Sequence, residues 1–319
     1  KGEEQCPSSD LRMFQNPPLG ADLNEGIEEW RSKSEDTASL APVLRALGRA
    51  RARITPELHF VSFRNNFNKI LETPYNLRDP WRIDLQRENG TIFLGVHHLS
   101  RTPPNAQLRK FMYWGYKFEQ LCTGGHGPVD SNVEYCTVFY TKLGPHRCFL
   151  SAEIDCREPH NPRETEQETF VELKTSRRLD NPRGVENFRR HKLLRFWVQS
   201  FLAGVKYIVC GFRDDRGKLL STERYLTQDL PRMSRQDGVQ RWDAEVCLGN
   251  AESLLSFVRD NTSDGGRYTL TYEEPFTHVT LRAAEADSVH VLPENYAEML
   301  GGTRSSDGDS RPDKRPRVH

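Results

Sequence analysis

Apolar residues along this chain recur at every second position or at every third to fourth, and the two periods divide it into strands and helices. Val133 to Leu143, Arg147 to Cys156 and Thr169 to Thr175 alternate with period two. Tyr207 to Phe212, YIVCGF, is a nearly continuous apolar run of the kind found in a central strand. Trp81 to Leu85 and Thr91 to His97 flank Asn89-Gly90, which predicts a hairpin. The helical period predicts helices from about Ser39 to Arg53, Pro56 to Leu71, Ala106 to Leu121 and Val185 to Leu202. In the second of these Leu58, Val61, Phe67, Ile70 and Leu71 form the stripe, and Pro74 ends it. In the third the expected inner side is Leu108, Phe111, Met112, Gly115 and Phe118, with Gly115 there to permit close packing. Phe188, Leu194, Trp197, Val198 and Phe201 are the buried stripe of the fourth, which Gly204 stops. Farther on, Ala251 to Arg259 and Pro293 to Leu300 read as helices, and Tyr268 to Tyr272 and His278 to Arg282 as strands.

The stretch Cys148 to Thr175 holds the candidate chemistry. Alternation puts Phe149, Ser151, Glu153 and Asp155 on one face of the first strand and a hydrophobic backing on the other. On the return strand Phe170, Glu172 and Lys174 share a face. If the two runs pair, two or three carboxylates and one ammonium converge on one small area. Adjacent carboxylates repel unless one holds its proton or a cation lies between them. Such oxygen ligands suit a hard divalent ion, Mg²⁺ or Mn²⁺, so Glu153, Asp155 and Glu172 are candidate metal ligands. Lys174 is then placed to contact a phosphate or orient an attacking water. Glu119, one helical turn beyond Gly115, faces the same body of protein and needs a partner or a metal. The ordinary alternative is an exposed strand face carrying solvated charges.

Composition narrows the setting. Forty-five Lys and Arg balance forty-five Asp and Glu, so any affinity for a polyanion must be local. Ser151 to Glu172 carries seven acids against two basic residues, whereas Lys174 to Arg195 carries eight basic residues against Asp180 and Glu186. An acidic pocket beside a basic wall suits cleavage of a polyanion. Seven cysteines without a C-x-x-C pair argue for a reducing compartment and against a zinc module. The first residues lack the apolar core of a signal peptide, and no run is long enough to span a bilayer. A soluble intracellular protein with no membrane partner is expected.

Residues 1–16 are expected to be a mobile end, 17–300 a single domain and 301–319 a disordered basic tail. Within the tail Lys314-Arg315-Pro316-Arg317 is a candidate nuclear import signal. No phosphate loop, dinucleotide fingerprint, nucleophile motif or internal repeat is present. His97 and His98, adjacent in a strand, point to opposite faces and cannot easily share a metal.

Four motifs in order, GYKFEQ at Gly115 to Gln120, EID at Glu153 to Asp155, VELKTS at Val171 to Ser176 and RHKLLRFWVQSFL at Arg190 to Leu202, resemble those of the DXO-type decapping exoribonucleases, which include the Rai-type proteins. The match in order and spacing covers roughly Leu58 to Phe212. The resemblance implies an α/β (α+β) fold, a mixed central sheet flanked by helices around a restriction-endonuclease-like core. It implies two divalent ions held by Glu119, Glu153, Asp155, Glu172 and the carbonyl of Leu173. Lys174 and Gln199 would contact the scissile phosphate, and Arg64 RNA phosphate. The implied substrates are RNA 5′ ends bearing a triphosphate, an incomplete cap or an NAD cap, with 5′ to 3′ exonuclease action admitted. The implied alternative is a non-catalytic or dual-role partner that binds and stabilises a nuclear 5′ to 3′ exoribonuclease. A nuclear location, with some cytoplasmic protein, accompanies either role.

Overall fold

The computed structural model describes residues 11–33, 39–49, 57–97, 104–159, 162–236, 238–285 and 290–300. His98, the end beyond residue 300 and the candidate import signal lie outside them. In chain order the elements are α1 (Ala41–Arg49), β1 (Phe60–Phe63), α2 (Arg64–Glu72), β2 (Trp81–Glu88), β3 (Thr91–Val96), α3 (Ala106–Cys122), β4 (Cys136–Leu143), β5 (His146–Glu153), β6 (Cys156–Arg157) and β7 (Phe170–Arg177). There follow α4 (Pro182–Asn187), a π-helical turn (Phe188–Lys192), α5 (Leu193–Phe201), β8 (Tyr207–Arg213), β9 (Leu219–Leu226), α6 (Leu230–Met233), β10 (Arg235–Gln236), β11 (Val239–Gln240), α7 (Ala244–Asp260), β12 (Arg267–Tyr272), β13 (Val279–Ala283) and α8 (Tyr296–Met299).

Two mixed sheets carry the site. The larger has the order β13-β12-β2-β3-β1-β5-β4, and the smaller β6-β7-β8-β9. β1 is parallel to both β3 and β5, and β7 is parallel to β8. The β2–β3 hairpin turns on Asn89 and Gly90, with φ of 52° and 80°. Two successive left-handed residues match the twist of the strands they join. One continuous apolar core joins the sheets: Phe60 and Leu150 from the larger, Phe170 and Ile208 from the smaller, and Trp197 and Val198 from α5 all belong to it. A second core packs Tyr113, Trp114 and Phe118 of α3 on Val171, Leu173 and Val209. There α3 lies so close to β8 that a Cβ on Gly211 would sit 2.4 Å from the Phe118 ring.

Several expectations are corrected. Residues 60–63 of the expected Pro56 to Leu71 helix form β1, because Phe60 and Val61 are both buried between neighbouring strands. The helix proper starts at Arg64 and keeps the expected Phe67, Ile70 and Leu71 stripe. On α3 the buried face is Tyr113, Trp114, Lys117, Phe118 and Cys122, while Leu108, Phe111 and Met112 are exposed. Gly115 packs against nothing: a Cβ there would meet no atom within 4 Å. Phe201 is exposed, and β9 was not expected at all. The end expected to be mobile through Asn16 is docked from Leu11 onward: Phe14 donates its N–H to Arg157 O at 2.7 Å and Gln15 to Cys122 O at 2.8 Å.

The acidic runs do not form one hairpin. β5 ends at Glu153 in the larger sheet, and after two residues the chain enters the smaller sheet as β6, which pairs with β7 at Cys156–Val171 and Arg157–Phe170. Ile154, buried, anchors the crossing by donating its N–H to Tyr135 O at 2.9 Å.

Candidate active site

The crossing between sheets creates the site. Beyond Val171, β7 has β8 on one side and no described strand on the other. Asp155, just past the end of β5, fills that gap: its Oδ2 accepts the Leu173 N–H at 2.6 Å. Glu172 and Lys174 follow on β7, with Glu172 fully buried. Lys174 Nζ donates to Glu172 Oε1, and Gln199 Nε2 from α5 donates to the same oxygen at 2.5 Å. Arg64, the first residue of α2, is 6% exposed and donates from Nη1 to the Gln199 carbonyl at 2.8 Å. The same nitrogen lies 3.7 Å from Glu172 Oε2, which is buried and has no hydrogen-bond donor.

Glu119 enters from α3. Glu119, Glu153 and Asp155 line one cleft of about 410 Å³, whose rim includes Tyr116, Gln120, His126, Tyr135 and the N-terminal pair Leu11 and Arg12. The electrostatics tie the four acids together. Burial, then Asp155, pushes the Glu119 carboxyl well above the carboxylate range. Burial, then Glu172, pushes Asp155 up to about 8 despite the Leu173 N–H. Burial, then Glu134, raises Glu153. Burial alone would lower the Lys174 ammonium, but Glu172, Asp155 and Glu119 outweigh it and hold it above the ordinary lysine range. Glu119, Glu153 and Asp155 are thus each destabilised by burial and by another acid, and Lys174 eases all three, with Lys33 also acting on Glu153. Among the described residues no three acidic, thiol or imidazole groups are already closed into a single ligand shell.

The structure therefore brings together Glu119, Glu153, Asp155, Glu172, Leu173, Lys174, Gln199 and Arg64. Arg64 sits behind Glu172, tying it to the end of α5. His97 lies outside the cleft lining, and its Nδ1 pairs with Asp84 Oδ2 at 2.7 Å. Leu11 and Arg12 are rim residues that periodicity could not find, since nothing in their local pattern says where a terminal segment docks.

The sequence profile described as RAI1 like PD-(D/E)XK nuclease matches residues 2–297. The chain belongs to this family. Nucleases of the PD-(D/E)XK type depend on divalent metals, and their fold is the mixed sheet with flanking helices seen here. The bovine decapping and exoribonuclease protein is 35% identical over 321 residues, covering 91% of this chain and 80% of that protein. The rat protein of the same name is 34% identical over 258 residues, covering 75% of this chain, which spans only 64% of the rat protein's length. Among solved structures, Schizosaccharomyces pombe Rai1 in complex with 3′-FADP superposes with a TM-score of 0.73 at 28% identity, over 88% of each chain. Among the described residues no helix is long and apolar enough to cross a membrane.

Proposed function

We propose that this chain is a divalent-metal-dependent hydrolase acting at RNA 5′ ends, in decapping and 5′-end quality control. One observation carries the reading: four carboxylates from α3, the end of β5, the crossing and β7 all act on Lys174, and the buried Glu172 Oε2 has no donor. That donor set, all oxygen and short of positive charge, fits a hard cation. Glu119, Glu153, Asp155, Glu172 and the Leu173 carbonyl would hold Mg²⁺ or Mn²⁺, with two ions expected. Bound there, the metal supplies Lewis acidity toward the attacking water and the leaving oxygen.

The chain's own residues supply position and charge. Lys174 and Gln199 converge on one oxygen of Glu172, so a phosphate beside that carboxylate meets an ammonium and an amide held in fixed geometry. Arg64 fixes Gln199 through its backbone carbonyl and adds positive charge behind the same spot, which a bound RNA phosphate would feel. The relatives' names support decapping and exoribonuclease action, and the 3′-FADP complex of S. pombe Rai1 supports nucleotide binding. Removal of 5′-triphosphate, incomplete caps and NAD caps, and 5′ to 3′ exonuclease action, are the activities proposed. A nuclear location is proposed on the basic segment near residue 315. The other reading is a stabilising partner of a nuclear 5′ to 3′ exoribonuclease; the intact acids and Lys174 speak against a purely non-catalytic form of it and are compatible with a dual role.

The test is product analysis on triphosphate-, cap-, NAD- and monophosphate-ended RNA with Mg²⁺ or Mn²⁺. Glu172→Ala is expected to lose at least about a hundredfold in rate. Equal product release by wild type and variant would overturn the assignment.

A further inference from the structure

One wall of the cleft runs from Pro128 to Tyr135, and the N-terminal segment pins it. Arg31 donates its N–H to Val129 O at 3.0 Å and its carbonyl accepts the Ser131 N–H at 2.9 Å, so the two stretches meet in a short parallel bridge. Trp30 is the anchor. It is 8% exposed, its ring lies 5.6 Å from that of Tyr113 and 6.1 Å from that of Tyr116, and the Arg109 guanidinium sits 5.4 Å over it. Packing of this kind would accept a phenylalanine. The indole adds one directed contact: its Nε1 donates to Ser131 Oγ at 2.7 Å, at a serine that is itself buried.

Ser131 carries that direction on to Tyr116. An indole N–H can only donate, so Ser131 Oγ accepts from Trp30 and has its own proton left to give. Its other hydrogen-bond partner is the Tyr116 hydroxyl. With Ser131 donating, the phenolic proton is free for a further acceptor. Tyr116 lines the cleft together with Ser131, Glu119 and Glu153, and it stands one helical turn before Glu119 on α3. Among the described residues neither of those acids takes a hydrogen bond from it. Burial, then Glu153, raises the hydroxyl above the ordinary tyrosine range, so it stays a neutral donor. Ionised carboxylates only accept. Tyr116 therefore brings to an acid-lined cleft a donor that, unlike an ammonium, forms no ion pair with the acids. Phosphate oxygens, which accept and carry charge, are the substrate atoms that suit it.

We propose that Tyr116 binds substrate, donating its O–H to a phosphate oxygen of the RNA 5′ end, and that Trp30 is a positioning residue that sets this donor through Ser131. The inference rests on the reading of the cleft as a site for RNA 5′ ends, and it adds a neutral donor and the series of hydrogen bonds that aims it.

The experiment measures binding, so it does not depend on cleavage. A dinucleotide with a 5′-phosphate and the same dinucleotide with a 5′-hydroxyl are titrated by fluorescence anisotropy with Ca²⁺ present. The proteins are wild type, Tyr116→Phe, Trp30→Phe, Ser131→Ala and the double variant Trp30→Phe/Tyr116→Phe. Tyr116→Phe should weaken the phosphorylated ligand about tenfold and leave the hydroxyl-ended one unchanged. Trp30→Phe and Ser131→Ala should each weaken the phosphorylated ligand about threefold, Ser131→Ala doing so without disturbing the aromatic packing. The double variant should bind no worse than Tyr116→Phe alone, because Trp30 acts only through the phenol. Wild-type affinity of Tyr116→Phe for the phosphorylated ligand, or an equal loss for both ligands, overturns the substrate contact. A double variant that shows the product of the two single losses overturns the positioning role of Trp30. If wild type does not prefer the phosphorylated dinucleotide, the reading of the cleft as an RNA 5′-end site falls.

Discussion

Replacing Asp155 with Asn should stabilise the metal-free protein while removing its activity. The Asp155 carboxyl, ordinarily at 3.8, is raised to about 8 by burial and then by Glu172. A raised acid makes the folded state bind the proton more tightly than the unfolded chain does. Its stabilising contribution is therefore complete below about pH 4 and is lost as pH climbs through about 8. At about 1.4 kcal/mol per pH unit the displacement bounds the loss at about 6 kcal/mol. Asp155 is half-buried and opens on the cleft, so water screens part of this, and about 2 kcal/mol is expected in practice. Asparagine keeps an oxygen to accept the Leu173 N–H and removes the charge that Glu172 opposes. Urea unfolding without divalent ions, at about pH 5 and about pH 8.5, should give near-equal midpoints at the lower pH and a more stable variant at the higher. Histidines lowered by burial, such as His146, give the opposite pH trend, but they are common to both proteins and cancel in the difference. Adding Mg²⁺ should then stabilise wild type more than the variant, because binding to the folded state alone raises apparent stability. A variant no more stable than wild type at the higher pH would refute the electrostatic account of the cluster.

Three further perturbations test other parts of the site. Lys174→Met leaves the fully buried Glu172 with Gln199 and the more distant Arg64; unfolding should show a loss of about 2 kcal/mol, and RNA cleavage assays a fall of about a hundredfold. Gly211→Ala drives a methyl into the Phe118 ring beside Glu119, so both stability, by about 1 to 3 kcal/mol, and activity should drop together. Leu11→Ala, at a residue 3% exposed, should cost about 2 kcal/mol and make the N-terminal segment an early target in limited proteolysis, with weaker RNA binding at the cleft rim.

The sequence made the acids legible but not the way they meet. Glu-x-Asp and Glu-x-Lys on period-two runs could be seen directly, and both lie in the site. The two runs pair only at their ends, Cys156–Val171 and Arg157–Phe170, because alternation reports which face a residue takes and not which sheet its strand joins. β1 was hidden for a related reason: Phe60 and Val61 are buried on both faces, and a short continuous apolar run can be read as the first turn of the helix that follows. On α3 the stripe was placed on Leu108, Phe111 and Met112 when Tyr113, Trp114 and Lys117 turn inward. Lys117 is the instructive residue, since its ammonium reaches Gln120 Oε1 at 3.2 Å while its stem is buried, which a polar label conceals. Gln199 and Arg64 came from the resemblance alone, because an amide and a guanidinium on helices carry no periodic mark of function.

The break between the two sheets explains why four acids can be kept so close. On one continuous strand Glu153 and Asp155 would be fixed side by side by the pleat, each pointing the same way. Instead Glu153 ends the larger sheet, and the buried Ile154 turns the chain so that Asp155 answers to a backbone N–H of the smaller one. The repulsion between the acids is thus opposed by two separate sheets, by α3 through Glu119 and by α5 through Gln199, all anchored in apolar cores. A site built this way is short of positive charge, which favours a cation, and only with the acids neutralised would it cease to repel a phosphate.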